Sequence, residues 1–262
     1  MGTEEPLSVP SQDADQRPAP EQALIRTGIL FLGTLLFAVL ANSIWGDPTG
    51  SQGALLWHIS AQQILVLGGL TFLWTRDQPA MTFGGAWPWR GILIGLCLAT
   101  GMVLLQPPLL ELWAEPLGLE EPSWYAAALL LTDPGVSVAV FVAVALIPAL
   151  CEEAFFRGYL LTRLLPWGLW PALGLQALVF AAYHIDLYGL PIYLISGLVL
   201  GVLRMRTGSL WPAIVLHATN NAWGILEHHW GEPTYLLWWP WSPLVILGLF
   251  GVAAWMLRSR AE

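Results

Sequence analysis

Two adjacent carboxylates and an arginine occur in a part of the sequence that is otherwise almost entirely apolar. Glu152, Glu153 and Arg157 lie in the stretch ALCEEAFFRG, which ends a hydrophobic run that starts near Val136. Glu153 and Arg157 are four residues apart with the acid first, the order that favours pairing along a helix. Because Glu152 points about 100° away from Glu153 around a helix axis, the two carboxylates can have different roles.

Two further pairs of side chains have the same helical spacing. Phe180 precedes His184 by four residues, and Asn221 follows His217 by four residues. The members of each pair project from one face of a helix, so Phe180 would wall a pocket beside the His184 imidazole. With a rise of about 1.5 Å per residue, Glu152, His184 and His217 lie at similar depths in their helices. We therefore expect one buried polar site that is shared by three helices and opens toward the cytoplasm.

The composition indicates that these helices cross a membrane. Of the 262 residues, 56% are hydrophobic and 11% are charged, whereas a soluble domain is about half apolar and about a quarter charged. The apolar residues form blocks of roughly 17–24 residues, long enough to span a bilayer. We predict an all-α polytopic integral membrane protein with eight transmembrane helices, at about 23–44, 53–75, 90–113, 136–163, 168–185, 189–204, 209–228 and 240–257. A shorter apolar piece, 123–131, is predicted to be an interfacial or re-entrant helix.

The arginines predict the orientation of these helices, since the chain has no lysine. Apart from Arg157, they are found at the ends of the spans in alternate loops, which by the positive-inside rule places both termini in the cytoplasm. Residues 1–22 form a disordered acidic tail, 23–257 the transmembrane domain and 258–262 a short C-terminal tail. The acidic flank of the first block argues against a cleavable signal peptide, and we expect a multi-pass protein of the bacterial inner (plasma) membrane.

Several features have simpler structural interpretations. The net charge of −8 comes partly from the tail, and no basic patch suggests a nucleic-acid partner. Cys97 and Cys151 lie in apolar segments and predict neither a disulfide framework nor a zinc cluster. Gly197 and Gly201 form a G-x-x-x-G pattern that is typical of close helix packing. The carboxylates and Arg157 could form a structural ion pair, but one carboxylate would be enough for that.

Three motifs in order give the chain a family resemblance. EEAFFRG, FAAYH and HATNN match the E-E-x-x-x-R, F-x-x-x-H and H-x-x-x-N motifs of the CAAX-protease and bacteriocin-processing (CPBP, Abi) family of intramembrane endopeptidases. That family includes the type II CAAX prenyl endopeptidases, and the resemblance covers a core of about 130–228. It implies hydrolysis of a peptide bond in a membrane-associated substrate, such as a prenylated or leader-type peptide. The implied partners are this peptide or protein substrate and the lipid bilayer.

The resemblance also implies roles for the motif residues. Glu152 would activate a water as general base, and His184 would position the same water. Glu153 would pair with Arg157, and Phe180 would contact substrate. His217 and Asn221 could donate to the oxyanion, which is worth a few kcal/mol per donor in comparable sites.

Two questions stay open at this point. The family has also been described as metal-dependent, and Glu152, His184 and His217 would make a plausible open zinc site. We favour a mechanism without a metal cofactor, because H-E-x-x-H is absent and Asn221 suits hydrogen bonding better than zinc. A non-proteolytic membrane scaffold of the same fold is the main alternative function. A transporter is less consistent, since the sequence lacks the internal repeat that transporters often show.

Overall fold

The computed structural model describes residues 19–45, 51–76, 89–122, 129, 134–230 and 242–258. Within these ranges the chain is helical and contains no strand, so the predicted all-α class is confirmed. The helices are α1 (Pro20–Trp45), α2 (Gln52–Thr75), α3 (Trp89–Ala114), α4 (Pro134–Trp167), α5 (Leu169–Tyr183), α6 (Leu190–Thr207), α7 (Trp211–Trp230) and α8 (Ser242–Arg258). The predicted interfacial helix at 123–131 lies outside the described residues except for Leu129, as does most of the predicted N-terminal tail.

Five of these helices, α1 to α4 and α6, are long and apolar enough to cross a membrane. Helix α5 and the apolar stretch Pro243–Ala253 of α8 are shorter. Large apolar side chains such as Leu32, Phe72 and Trp170 are mostly exposed, as they would be against lipid. These features are those of a multi-pass integral membrane protein. The count of eight spans and the cytoplasmic location of both termini stay predictions.

Three segments of these helices have the wider π-helical winding, and such segments often occur at functional sites. They are Gln62–Gly68 in α2 and Phe141–Leu146 and Ala154–Leu160 in α4. The two in α4 lie on either side of the Glu152–Glu153 pair, and Pro148 follows the first of them. A proline inside a helix cannot donate the backbone hydrogen bond to the carbonyl four residues earlier, which here is Val144.

An aromatic core holds α4 against its neighbours. The Phe156 ring packs edge-to-face on Phe180 of α5, with 5.0 Å between ring centroids. On another side of α4, Tyr159 packs against Trp74 of α2 at 5.5 Å. Phe156, Tyr159 and Phe180 are almost fully buried, so the helix that carries both carboxylates is held in a fixed position by large rigid side chains.

Helices α5 and α6 pack in close contact, as the G-x-x-x-G pattern predicted. A Cβ atom added at Gly197 would lie 2.8 Å from the Cα atom of Ala177, and one at Gly201 would lie 2.8 Å from a methyl carbon of Leu173. Both distances are shorter than van der Waals contact, so the two backbones can approach this closely only because these residues are glycines.

Gly197→Ala should therefore lower the stability of the protein. The added methyl would force α5 and α6 apart, at a cost of about 1–3 kcal/mol for overpacking. Gly174→Ala is the matched control on α5, because a Cβ there meets no atom within 4 Å and alanine favours helix by up to about 1 kcal/mol. Thermal unfolding of the purified proteins in detergent measures both effects. Equal melting temperatures for wild type and Gly197→Ala would contradict the packing analysis.

Candidate active site

Glu153 and Arg157 form a buried ion pair inside α4. The Arg157 Nη1 atom donates to Glu153 Oε1 at 2.7 Å, and both side chains are fully buried. The same carboxylate oxygen lies 2.8 Å from Nδ1 of His217 on α7. Glu153 therefore receives two donors, one from its own helix and one from a neighbouring helix. The predicted pairing of Glu153 with Arg157 is present in the structure.

Glu152 points in a different direction and has different partners. Its Oε1 atom accepts a hydrogen bond of 2.8 Å from Nε2 of Gln63 on α2. Its Oε2 atom is buried without a hydrogen-bond partner among the described residues and lies 3.8 Å from Nε2 of His217. The two adjacent carboxylates thus approach one imidazole from different sides, Glu153 at Nδ1 and Glu152 at Nε2.

These contacts determine which nitrogen of His217 carries the proton. The Glu153 carboxylate can only accept hydrogen bonds when ionised, so Nδ1 of His217 is the protonated nitrogen. In the neutral imidazole Nε2 is then an acceptor. Glu152 Oε2 and His217 Nε2 are consequently two acceptors that face each other without a hydrogen between them.

Phe180 lies among the charged and imidazole groups. The Arg157 guanidinium carbon is 4.2 Å from the centroid of the Phe180 ring, a distance at which cation–π attraction is substantial. The ring also contacts His184 and His217 edge-to-face, at centroid distances of 4.7 and 5.9 Å. Phe180 therefore stands beside His184, as its spacing predicted. With 2% of its surface exposed, its contacts are with the protein, and its predicted contact with substrate stays untested.

His184 contacts Phe180 and forms no hydrogen bond with either carboxylate in the described part of the chain. Its Nδ1 atom lies 2.9 Å from the backbone carbonyl of Phe180. The imidazole stacks on the Tyr193 ring at 3.8 Å, and the Tyr193 hydroxyl donates to Asp186 at 3.0 Å. Tyr193 of α6, which is itself held by Asp186 of the loop after α5, thus fixes the plane of the His184 ring.

Asn221 contacts the break in α4. Its Nδ2 atom donates to the carbonyl of Val144 at 3.2 Å, the group that Pro148 leaves without its α-helical donor. This bond connects α7 to α4 about two turns before Glu152. Asn221 keeps a second amide hydrogen, so a role at the oxyanion stays a prediction.

A second set of contacts reaches the site from α6. The carbonyl of Gly197 accepts hydrogen bonds from Nε2 of Gln176 at 2.7 Å and from Nη2 of Arg157 at 3.4 Å. Gln176 is fully buried and comes from α5. Arg157 is therefore held by Glu153 at one end of its guanidinium and by the α6 backbone at the other.

The predicted site residues differ in how closely the structure brings them together. Glu152, Glu153, Arg157 and His217 form one cluster of polar contacts, Phe180 and His184 adjoin it through ring contacts, and Asn221 contacts the α4 break. Three further participants, Gln63, Gln176 and Tyr193, were not predicted. Gln63 had a visible signal in the sequence, because QQILVLG places two glutamines inside an otherwise apolar block.

The proposed zinc ligands do not form a recognisable metal site. Within the ranges that the structure describes, no group of three His, Cys, Asp or Glu side chains is arranged to hold a metal ion. Glu152 and His217 are neighbours, and the Nδ1 atom of His184 is used on a backbone carbonyl, which leaves its Nε2 atom as an acceptor. A zinc site held by these three residues stays a prediction, and so does a mechanism without a metal.

The structure is that of a multi-pass membrane protein with a buried site suited to acid–base chemistry. Its apolar helices enclose paired carboxylates, an arginine and two imidazoles. A family model narrows this class. Residues 134–223 match the model described as Type II CAAX prenyl endopeptidase Rce1-like, and this segment, which carries all three motifs, is similar to the CAAX-protease family as the motifs predicted. The family is one of proteases. No curated protein and no solved structure matches the chain.

Arg157→Met should destabilise the protein strongly, because it leaves the buried Glu153 carboxylate without its counter-ion. Breaking such a pair costs about 3–5 kcal/mol. The double variant Glu153→Gln/Arg157→Met removes both charges and should recover much of that loss. Thermal unfolding in detergent gives the comparison, with Arg206→Met on the exposed end of α6 as the control. Losses that simply add in the double variant would show that the two residues are not coupled.

Proposed function

We propose that the protein is an intramembrane endopeptidase that hydrolyses a peptide bond of a membrane-associated substrate with a water activated by Glu152. The observation that carries this proposal is the pair of opposed acceptors, Glu152 Oε2 and His217 Nε2, 3.8 Å apart. Only a group with two donor hydrogens can satisfy both of them at once, and water is such a group. The match of residues 134–223 to a peptidase family supports the same conclusion.

The proposed reaction begins with a water that donates one hydrogen bond of about 2.8 Å to each of the two acceptors. Its oxygen lone pairs then point away from both groups, toward a substrate carbonyl. Glu152 takes a proton as the water oxygen bonds to the carbonyl carbon, and the carbonyl oxygen becomes an oxyanion. Glu152 next returns the proton to the leaving nitrogen, the C–N bond breaks, and a carboxyl and an amine are released. General acid–base help of this kind contributes about 10²–10⁴-fold.

Glu153 and Arg157 hold Glu152 and His217 in the protonation states that this reaction needs. Glu153 accepts from Nδ1 of His217 and so keeps Nε2 available as an acceptor, much as the carboxylate of a catalytic triad orients its histidine. Arg157 compensates the charge of Glu153, and Glu152 is then the carboxylate of the pair that is free to exchange a proton. This proposal gives the water-positioning role to His217, whereas the sequence alone suggested His184.

His184 and Asn221 are assigned to the substrate in this scheme. A backbone carbonyl only accepts, so Nδ1 of His184 donates to Phe180 and its Nε2 is an acceptor. We assign that nitrogen to an N–H group of the bound peptide, with Phe180 at the wall of the same site. The second amide hydrogen of Asn221 would serve the oxyanion. Prenylated or leader-type peptides are the proposed substrates, and the bacterial inner membrane is the proposed location.

Replacing the base or the water-positioning imidazole should abolish cleavage. Glu152→Gln and His217→Gln keep the approximate size of each side chain but remove the acceptor pair, so we expect a loss of at least about 100-fold. Cells that produce wild type or each variant can be compared by mass spectrometry of new protein termini in their membranes. His184→Gln completes the series, and Glu111→Gln, an exposed acid on α3, serves as control. Identical termini in all the strains would eliminate the endopeptidase proposal and favour the scaffold alternative.

The proposed mechanism uses no metal cofactor, so cleavage should survive chelation. Purified protein in liposomes, dialysed against EDTA, is expected to cleave a peptide that spans the identified site at the rate of untreated protein. Zinc added back should give no increase. A loss on dialysis that zinc reverses would instead require metal ligands, and would reinstate Glu152, His184 and His217 as the set to test first.

A further inference from the structure

We propose that Gln63 is a positioning residue that fixes the orientation of the Glu152 carboxylate, so that its other oxygen faces His217. The inference rests on the proposed endopeptidase function and extends it to a helix outside the family match, which covers residues 134–223. Gln63 lies in α2, and its side chain is buried against Glu152.

The contact has a definite direction. Gln63 Nε2 lies 2.8 Å from Glu152 Oε1, and the two side chains are 7% and 4% exposed. An ionised carboxylate only accepts hydrogen bonds, so the amide must present its NH₂ group and not its oxygen. Gln63 is the one side chain in the described ranges that donates a hydrogen bond to Glu152.

Orientation matters because the last torsion of a glutamate side chain is broad. An unrestrained carboxylate could rotate so that neither of its two equivalent oxygens faces His217 directly. Once Gln63 holds Oε1, only Oε2 faces Nε2 of His217, at 3.8 Å. The water that bridges these two atoms then has one position, and a misplacement of about 1 Å can cost on the order of 100-fold in rate.

A neutral donor suits this role better than a cation. Lysine or arginine at this position would form a second ion pair and hold Glu152 in its charged form, which would oppose proton transfer to it. The amide fixes the oxygen and leaves the charge of Glu152 uncompensated. The neighbouring Gln62 donates to the Tyr183 hydroxyl at 3.5 Å, so one π-helical segment of α2 reaches both α4 and the end of α5.

The test measures kcat and KM for Gln63→Met and Gln63→Glu with a synthetic peptide that spans the cleavage site found by comparing wild type with Glu152→Gln. Gln63→Met removes the donor at similar volume, and we expect kcat to fall about 10–100-fold with KM nearly unchanged. Gln62→Met, next to it on the same helix, should keep kcat within about twofold of wild type, since its bond does not reach a carboxylate. Melting temperatures report whether each variant folds.

Gln63→Glu separates positioning from packing. At acid pH the protonated carboxyl that this variant introduces can donate a hydrogen bond to Glu152 and should preserve activity. As the pH rises, the introduced carboxyl ionises, loses its donor hydrogen and repels the base. The titratable and charged groups around this position are Glu152 and the groups that interact with it, which are Glu153, Arg157, His217, Cys151 and Tyr183. Relative to wild type, the activity of this variant should therefore fall with increasing pH. If Gln63→Met fails to fold, this profile alone decides the question.

The outcomes distinguish the two proposals. Wild-type kcat in Gln63→Met, or a Gln63→Glu variant that is equally inactive at every pH, would overturn the positioning role. Full activity of Glu152→Gln would overturn the endopeptidase mechanism and this inference with it. An inactive Glu152→Gln together with a fully active Gln63→Met would remove only the role of Gln63.

Discussion

The central constraint on this molecule is the burial of two carboxylates inside apolar helices. An ionised carboxylate that is removed from water needs donors nearby, because its burial is otherwise very costly. Glu153 obtains its donors from Arg157 and His217, and Glu152 obtains one from Gln63. Since these groups come from α2, α4 and α7, satisfying the two acids also fixes the relative position of three helices.

Stability and the proposed chemistry therefore depend on the same contacts. The charges of Glu153 and Arg157 neutralise each other, and replacing such a buried pair by apolar groups is often neutral for the stability of a fold. Glu152 is different, because its hydrogen-bond donor is the neutral amide of Gln63 and not a cation, and its second oxygen lies 3.8 Å from His217 Nε2. In the proposed mechanism, this acid beside an imidazole acceptor is where the water would be activated.

The sequence predicted the helices and the members of the site better than it predicted their contacts. Helical spacing alone placed Glu153 with Arg157 and Phe180 with His184, because both pairs lie within one helix. Contacts between helices depend on how the helices are rotated, and no spacing along the chain records this. The approach of both adjacent glutamates to His217 is such a contact, and so is the bond from Gln63 to Glu152. The bond from Asn221 to Val144 is a third contact of this kind. Pro148 explains why the Val144 carbonyl lacks its helical donor, but Asn221, which replaces that donor, is 77 residues away from Val144 along the chain.

The carbonyl of Gly197 connects the packing of α5 and α6 to the charged groups of the site. It accepts from Gln176 on one side and Arg157 on the other, directly beside the glycine contact with Ala177. A peptide or lipid chain that wedged these helices apart would break the bond from Gln176, and a shift of α6 away from α4 would also remove one of the two anchors of Arg157. The contact between α5 and α6 is thus tied to the charge network, and under the proposed function we expect a membrane-bound substrate to enter between other helices.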